Sequence, residues 1–214
     1  MKTNNVYHGD AIDLIDQLDL VPNLIIMSPP DLSETDMSMD EYKAFLNSIY
    51  SKALDKLHPN GVLASITTDR KYQRAIYTKH IDIINACDAE LFNYKIWAKS
   101  LKSNLYILTY SHILFFRKDR KITSNKVAEF LPDVWHIPLD KVAKYKNKDS
   151  FPTELIHRII LKFSNIGDLV LDPFLGTGKT AKQALDLGRE FIGFEINKDY
   201  VHLANEFIFG GTSG

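Results

Sequence analysis

The sequence predicts an α/β fold, a mostly parallel sheet covered by helices on both faces, and three observations carry that prediction. Strand-length apolar runs alternate with helical stripes along almost the whole chain. Residues 169–180 read Leu-Val-Leu-Asp-Pro-Phe-Leu-Gly-Thr-Gly-Lys-Thr, a strand that breaks at glycines and restarts as a helix, and the next strand, 191–195, closes in an acid. Two successive strands, 90–98 and 105–116, have no helix between them, the pattern of an antiparallel hairpin at one edge of the sheet.

Each element has its own signal. Residues 24–27 are a short apolar strand that ends at Ser28-Pro29-Pro30-Asp31. Between 41 and 57, Tyr42, Phe45, Leu46, Ile49, Ala53 and Leu57 fall on one helical stripe. His58-Pro59-Asn60-Gly61 stops that helix, and 62–67 is the next strand. Residues 71–85 read as a less regular helix. The stretch 117–149 is polar, basic and poorly periodic, a surface excursion rather than a second domain. After Pro152 the apolar positions Leu155, Ile156, Ile159, Ile160 and Phe163 mark a helix. Strand, glycine loop, helix, strand and a last helix from Lys198 complete a single domain over 1–209, with 210–214 as a flexible tail.

With 214 residues, 45% hydrophobic and 25% charged, the chain suits one domain with a sizeable core. No apolar run reaches the roughly 20 residues that span a bilayer, and the N-terminus is no signal peptide, so a cytoplasmic protein without a membrane partner is expected. The single cysteine, Cys87, excludes an internal disulfide framework, and the seven histidines show no close ligand spacing, so no metal is expected. Net charge is −1, but 95–148 carries twelve bases against four acids, an asymmetry that marks either a phosphate-binding face or a solvated lysine-rich surface.

The glycine turn at 176–178 exposes backbone N–H groups at a helix start and lets a ligand approach closely. Glu195 lies 23 residues after Asp172, where a carboxylate can accept both hydroxyls of a ribose. Gly178-Lys179-Thr180 looks like the end of a phosphate-binding P-loop, but that motif needs glycine where Pro173 stands. A dinucleotide fold tolerates the Gly-x-Gly spacing, yet Asp172-Pro173-Phe174 is atypical of it. Ser28-Pro29-Pro30 is the second chemical segment: two prolines fix φ and leave a rigid run of carbonyl acceptors, suited to an exocyclic amine.

Together, Asp-Pro-Phe-x-Gly-x-Gly and the upstream Ser-Pro-Pro resemble the amino-methyltransferases that use S-adenosylmethionine, in the permuted order where the catalytic loop precedes the cofactor loop. The resemblance extends to 188–197, 150–156 and 6–11. It implies a Rossmann-like sheet of seven strands, with S-adenosylmethionine as cofactor and DNA as partner through the basic segment 95–148. It also implies methyl transfer to N4 of cytosine ahead of N6 of adenine, because serine opens the catalytic loop. By resemblance, Ser28, Pro29, Pro30 and Asp31 form the catalytic loop. Asp172, Phe174, Gly176, Gly178 and Thr180 line the methionine and sugar side, Glu195 holds the ribose, and Phe151, Pro152 and Thr153 cover the methionine end. Asp10 stands near the adenine, or else caps the helix that follows it.

No covalent intermediate is needed for such a transfer, and Cys87, without a proline-cysteine context, reads as structural. Asp31 departs from the family, which has Tyr or Phe there to stack on a flipped base. Either Tyr42, Phe45 or Trp135 replaces that ring, or the substrate is RNA or another amine, or the chain is a catalytically weak cofactor-binding subunit. The 117–149 segment is short for target recognition, and dimerisation is one way to compensate.

Overall fold

The structure, a computed structural model, describes residues 1–72, 75–99, 109–140 and 151–210. Ten strands and six helices follow in the order β1 (Asn5–His8), α1 (Ala11–Asp16), β2 (Leu24–Met27), α2 (Met39–Lys56), β3 (Val62–Thr67), β4 (Arg70–Tyr72), β5 (Ala75–Tyr77), α3 (Lys79–Ala86), β6 (Glu90–Ala98), β7 (Tyr110–Arg117), β8 (Val134–His136), α4 (Thr153–Phe163), β9 (Leu169–Asp172), α5 (Lys179–Asp186), β10 (Glu190–Glu195) and α6 (Lys198–Phe209). Eight strands form one sheet in the order β1-β10-β9-β2-β3-β7-β6-β8, and β4-β5 is a separate hairpin.

Strands β1, β10, β9, β2 and β3 pair in parallel, and β7 pairs antiparallel with both β3 and β6. The mixed, mostly parallel sheet is the predicted one, with eight strands where seven are expected. The additional strand comes from the excursion: Val134–His136 pairs in parallel with Ile96–Ala98, so β8 rather than the hairpin forms the edge. Trp135, 1% exposed, anchors it in the core. The expected helix over 71–85 begins only at Lys79, because Arg70–Tyr72 and Ala75–Tyr77 pair antiparallel as β4 and β5. Residues 105–108 of the expected strand, 211–214 of the tail, and Lys102, Lys141, Lys144, Lys146 and Lys148 lie outside the described residues.

Alternate residues of the strands feed two cores, as the period of two requires. On one face Leu24, Ile26, Ala64, Phe115 and Val170 meet the apolar stripe of α4 and the alanines of α5. On the other, Ile25, Met27, Leu63, Leu114 and Leu171 meet α1, α2 and α3. Helix α2 starts at a capping box, in which Ser38 accepts from the Glu41 amide and Glu41 accepts from the Ser38 amide.

The topology decides where a ligand goes. From β9 the chain moves to β10 on one side, and from β2 it moves to β3 on the other. The adjacent parallel pair β2/β9 is therefore the point where strand order reverses, and such a crevice at the carboxyl ends is where open α/β sheets bind ligands. Ser28 follows the end of β2 and Pro173 the end of β9, so the two chemical segments of the sequence become neighbours at that switch point.

Candidate active site

A cavity of about 690 Å³ opens there. Ser28, Pro29, Pro30 and Asp31 line it from the β2 side. From the β9 side come Asp172, Phe174, Gly176 and Thr180, joined by Phe151. Of the remaining sequence-predicted residues, Asp10, Pro152, Thr153, Gly178 and Glu195 are not among its lining residues.

The cofactor loop is built from local backbone contacts. Asp172 Oδ1 accepts from the Phe174 amide at 3.0 Å, closing the turn. Glu195 bridges two segments, with Oε2 accepting from the Gly176 amide at 2.8 Å and Oε1 from the Asn197 amide at 2.8 Å. Each carboxylate oxygen keeps a lone pair for a further donor. Gly176 has φ of +57° and a side chain there would meet nothing within 4 Å, so the backbone faces open space. Gly178, φ +88°, is different: a Cβ would stand 3.0–3.2 Å from Ile208 and Ala204, so this glycine lets α5 pack against α6.

Asp172 is buried, which pushes its carboxyl up to about 6; the Thr180 hydroxyl and the Phe174 amide oppose that rise, while the Glu195 charge adds to it. Lys179, the residue that imitates a P-loop lysine, lines the cavity but has its ammonium engaged by the protein. It donates to Asp140 at 2.6 Å and to the Phe151 carbonyl at 2.8 Å. Asp140 also accepts from the Thr153 amide and hydroxyl, so Thr153 and Lys179 tie Phe151 to the cofactor loop. Asp10 caps α1, accepting from the amides of Ile12 and Asp13.

The catalytic loop is held by distant side chains. Lys79, 1% exposed at the start of α3, donates to the Pro29 carbonyl at 2.7 Å, the Pro30 carbonyl at 3.0 Å and Asp31 Oδ1 at 2.9 Å. The buried Tyr42 donates to the Pro30 carbonyl at 2.6 Å. Arg70 Nε donates to Asp31 Oδ2. The carbonyls that the sequence leaves open for an amine thus already accept protein donors. Ser28 differs: its hydroxyl makes no hydrogen bond among the described residues. Burial alone would raise the Asp31 carboxyl, but Lys79 and Arg70 outweigh it and hold that carboxyl below its usual range. Burial likewise pushes Lys79 down against the opposing pull of Asp31.

Sequence reading misses Lys79 and Arg70. The only signal is Asp31 itself, since a carboxylate beside two prolines at a strand end demands a cation, but nothing local says which one. It also misses a cluster in which Asp69, His80 and His112 bring their donor atoms within 4.8 Å of one another, although their sequence spacing shows nothing. The two imidazoles stack, centroids 4.0 Å apart and planes 15° from parallel, so their in-plane lone pairs run side by side rather than converging on one ion. His80 Nδ1 lies 2.8 Å and its amide nitrogen 3.3 Å from Asp69 Oδ1, and the His112 ring meets the Tyr94 hydroxyl. That geometry ties the start of α3, and with it Lys79, to the end of β3.

The basic segment is partly used internally. Lys95 is 3% exposed and pairs with Asp133, Arg117 pairs with Glu90, and Lys118 donates to the Leu54 carbonyl. Lys99 reaches Thr68 and lies over the Trp97 ring at the cavity wall. Arg120 and Lys121 stand on the surface without an ion pair among the described residues. No helix among the described residues is long and apolar enough to cross a membrane.

A family described as DNA methylase matches residues 23–206. The Type II methyltransferase M1.MboII of Moraxella bovis is 28% identical over 96% of this chain and 96% of its own length. The orphan methyltransferase M.BamHII of Bacillus amyloliquefaciens is 44% identical over 35% of this chain. The match to it spans 30% of that relative, and the match to the Type II methyltransferase M.MjaI of Methanocaldococcus jannaschii spans 42%. Among solved structures, the TTHA0409 protein of Thermus thermophilus, complexed with S-adenosyl-L-methionine, superposes with a TM-score of 0.79, 26% identity and coverage of 98% of this chain and 95% of that one. The cytosine-N4-specific PvuII DNA methyltransferase, 18% identical with a TM-score of 0.85 over 98% of this chain and 87% of that one, shares the fold.

Proposed function

This chain belongs to the DNA methylase family, and we propose that it transfers a methyl group to an exocyclic amine of a DNA base, N4 of cytosine ahead of N6 of adenine. The observation that carries the reading is one cavity walled by Ser28-Pro29-Pro30 on one side and by Asp172, Phe174 and Gly176 on the other. S-adenosylmethionine is the cofactor, and when bound it supplies an electrophilic methyl on a sulfonium. The residues present fit it. Gly176 leaves room for a close approach, Asp172 and Thr180 offer polar atoms inside the cavity, and Phe151 and Phe174 give it apolar surface. Glu195, whose two oxygens hold the Gly176 and Asn197 amides, fixes the loop and keeps lone pairs for a ribose.

The amine of a nucleobase is a poor nucleophile because its lone pair is delocalised into the ring. Ser28, with its hydroxyl unengaged, accepts one amine hydrogen and directs the lone pair across the cavity toward the cofactor side. The second lone pair of the Pro29 carbonyl is a further acceptor. Lys79 and Tyr42 hold that loop rigid, so the dipoles need no reorganisation as charge moves, and catalysis is positioning. Asp31 has each carboxylate oxygen committed to a cation and serves as an anchor, so the proton that the amine sheds on methylation passes to solvent rather than to Asp31. Reaching a base in duplex DNA requires extruding it, at a cost of a few kcal/mol. Of the described bases of the 95–148 segment, Lys99 stands at the cavity wall and is placed for a phosphate contact, whereas Arg120 and Lys121 follow β7 at the opposite end of the sheet.

One variant tests the assignment. Ser28→Ala should leave S-adenosylmethionine affinity unchanged and lower methyl transfer about 100-fold, the typical loss of one preorganised hydrogen-bonding group. Transfer at the native rate removes Ser28 from the mechanism.

A further inference from the structure

On the base-methylation reading above, on which this inference rests, an aromatic ring is expected where Asp31 stands. None of the three aromatics that the sequence offers as replacements lines the cavity. Tyr42 and Trp135 are buried in opposite cores, and Phe45 packs edge-on against Phe174 with centroids 6.2 Å apart. Asp31 instead recruits two cations that differ in direction. Lys79 turns all three of its donors inward. Arg70 lines the cavity with its side chain 41% exposed. Asp31 grips it at Nε, and neither terminal guanidinium nitrogen has a partner among the described residues.

A guanidinium is planar, weakly hydrated and one of the few side-chain surfaces on which a nucleobase stacks. The same pairing removes the charge problem, because Asp31 and Glu34 on the cavity wall are balanced by Lys79 and Arg70. We propose that Arg70 supplies the stacking surface for the target base, with Asp31 as the positioning residue that orients its plane and Lys79 as the anchor of Asp31. The aromatic ring of the family is replaced here by a salt-bridged arginine.

The test compares binding of a mixed-sequence twelve-nucleotide single strand with that of an abasic strand of equal length, with S-adenosylhomocysteine present. The native chain should favour the base-bearing strand roughly tenfold, the scale of one stacked base. Arg70→Lys keeps the charge and loses the plane, so the preference should fall to within about twofold, since one stacking surface is lost, while abasic-strand affinity, cofactor affinity and Tm stay unchanged. A preference that survives Arg70→Lys, or that is missing in the native chain, overturns the proposal. A native chain that shows the Arg70-dependent preference yet methylates no DNA would sink the proposed reaction and leave Arg70 as the stacking residue.

Discussion

The loops after β2 and β9 occupy equivalent places in the sheet, side by side at the same edge, yet they are stiffened by opposite means. The β9 loop is glycine-rich and is held through its amides by carboxylates, Asp172 accepting from Phe174 two residues on and Glu195 from Asn197 and, across 19 residues, from Gly176. The β2 loop is proline-rich, lacks two amides, and is held through its carbonyls by side chains 12 and about 50 residues away, Tyr42 and Lys79. Proline explains the division. A loop stripped of donors presents only acceptors, so its partners must be donors brought in from other elements.

The contrast can be broken most forcefully at Lys79. Lys79→Met leaves the Asp31 carboxylate short of one of its cations and removes a donor from two carbonyls, so it should cost about 3–5 kcal/mol in urea unfolding, as for a buried pair that loses one partner. A loss below about 1 kcal/mol, the scale of a single hydrogen bond, would mean that the β2 loop does not depend on this anchor. In the β9 loop, Glu195→Ala should preserve the fold but weaken S-adenosylmethionine binding roughly 100-fold, about 3 kcal/mol, by releasing the Gly176 and Asn197 amides together. Calorimetric affinity equal to that of the native chain would contradict the assignment.

Asp172 sharpens the comparison through pH. Its carboxyl is raised to about 6, so the folded chain binds more protons than the unfolded chain between the ordinary carboxylate range and pH 6. The contribution of this group to stability is present at low pH and is lost as pH rises through 6. Asp172→Asn should therefore raise stability at about pH 8 by on the order of 2 kcal/mol and have little effect near about pH 4, in denaturation series at the two values. An equal effect at both pH values would remove the buried charge as its cause. The smallest effect belongs to Tyr42→Phe, which deletes one of two donors to the Pro30 carbonyl and should cost about 1 kcal/mol. A cost equal to that of Lys79→Met would make the tyrosine, not the lysine, the main support of the loop.

The same division governs what is legible in the sequence. The β9 loop can be read because its partners are local: strand, glycine turn, helix and terminal acid all fall between 169 and 195, and Gly176 and Asp172 both reach the cavity. The β2 loop is legible as chemistry through Ser28-Pro29-Pro30, but its supports are not, because Lys79 sits in a stretch whose helical pattern blurs into the β4-β5 hairpin. Strand β8 is hidden for a similar reason. Three residues are too few to show a period, and Trp135 alone marks the segment as buried. Gly178 carries a signal that names a ligand contact, where the structure gives helix packing, since both needs select glycine.

The most direct test of the two loops acting as one site is incubation of the chain with labelled S-adenosylmethionine and unmethylated genomic DNA, followed by digestion and nucleoside mass spectrometry. N4-methylcytosine, formed by the native chain and reduced about 100-fold in Ser28→Ala, is the predicted result. N6-methyladenine with the same dependence would keep the site and change the base. No methylated nucleoside from a chain that binds S-adenosylmethionine would contradict the account.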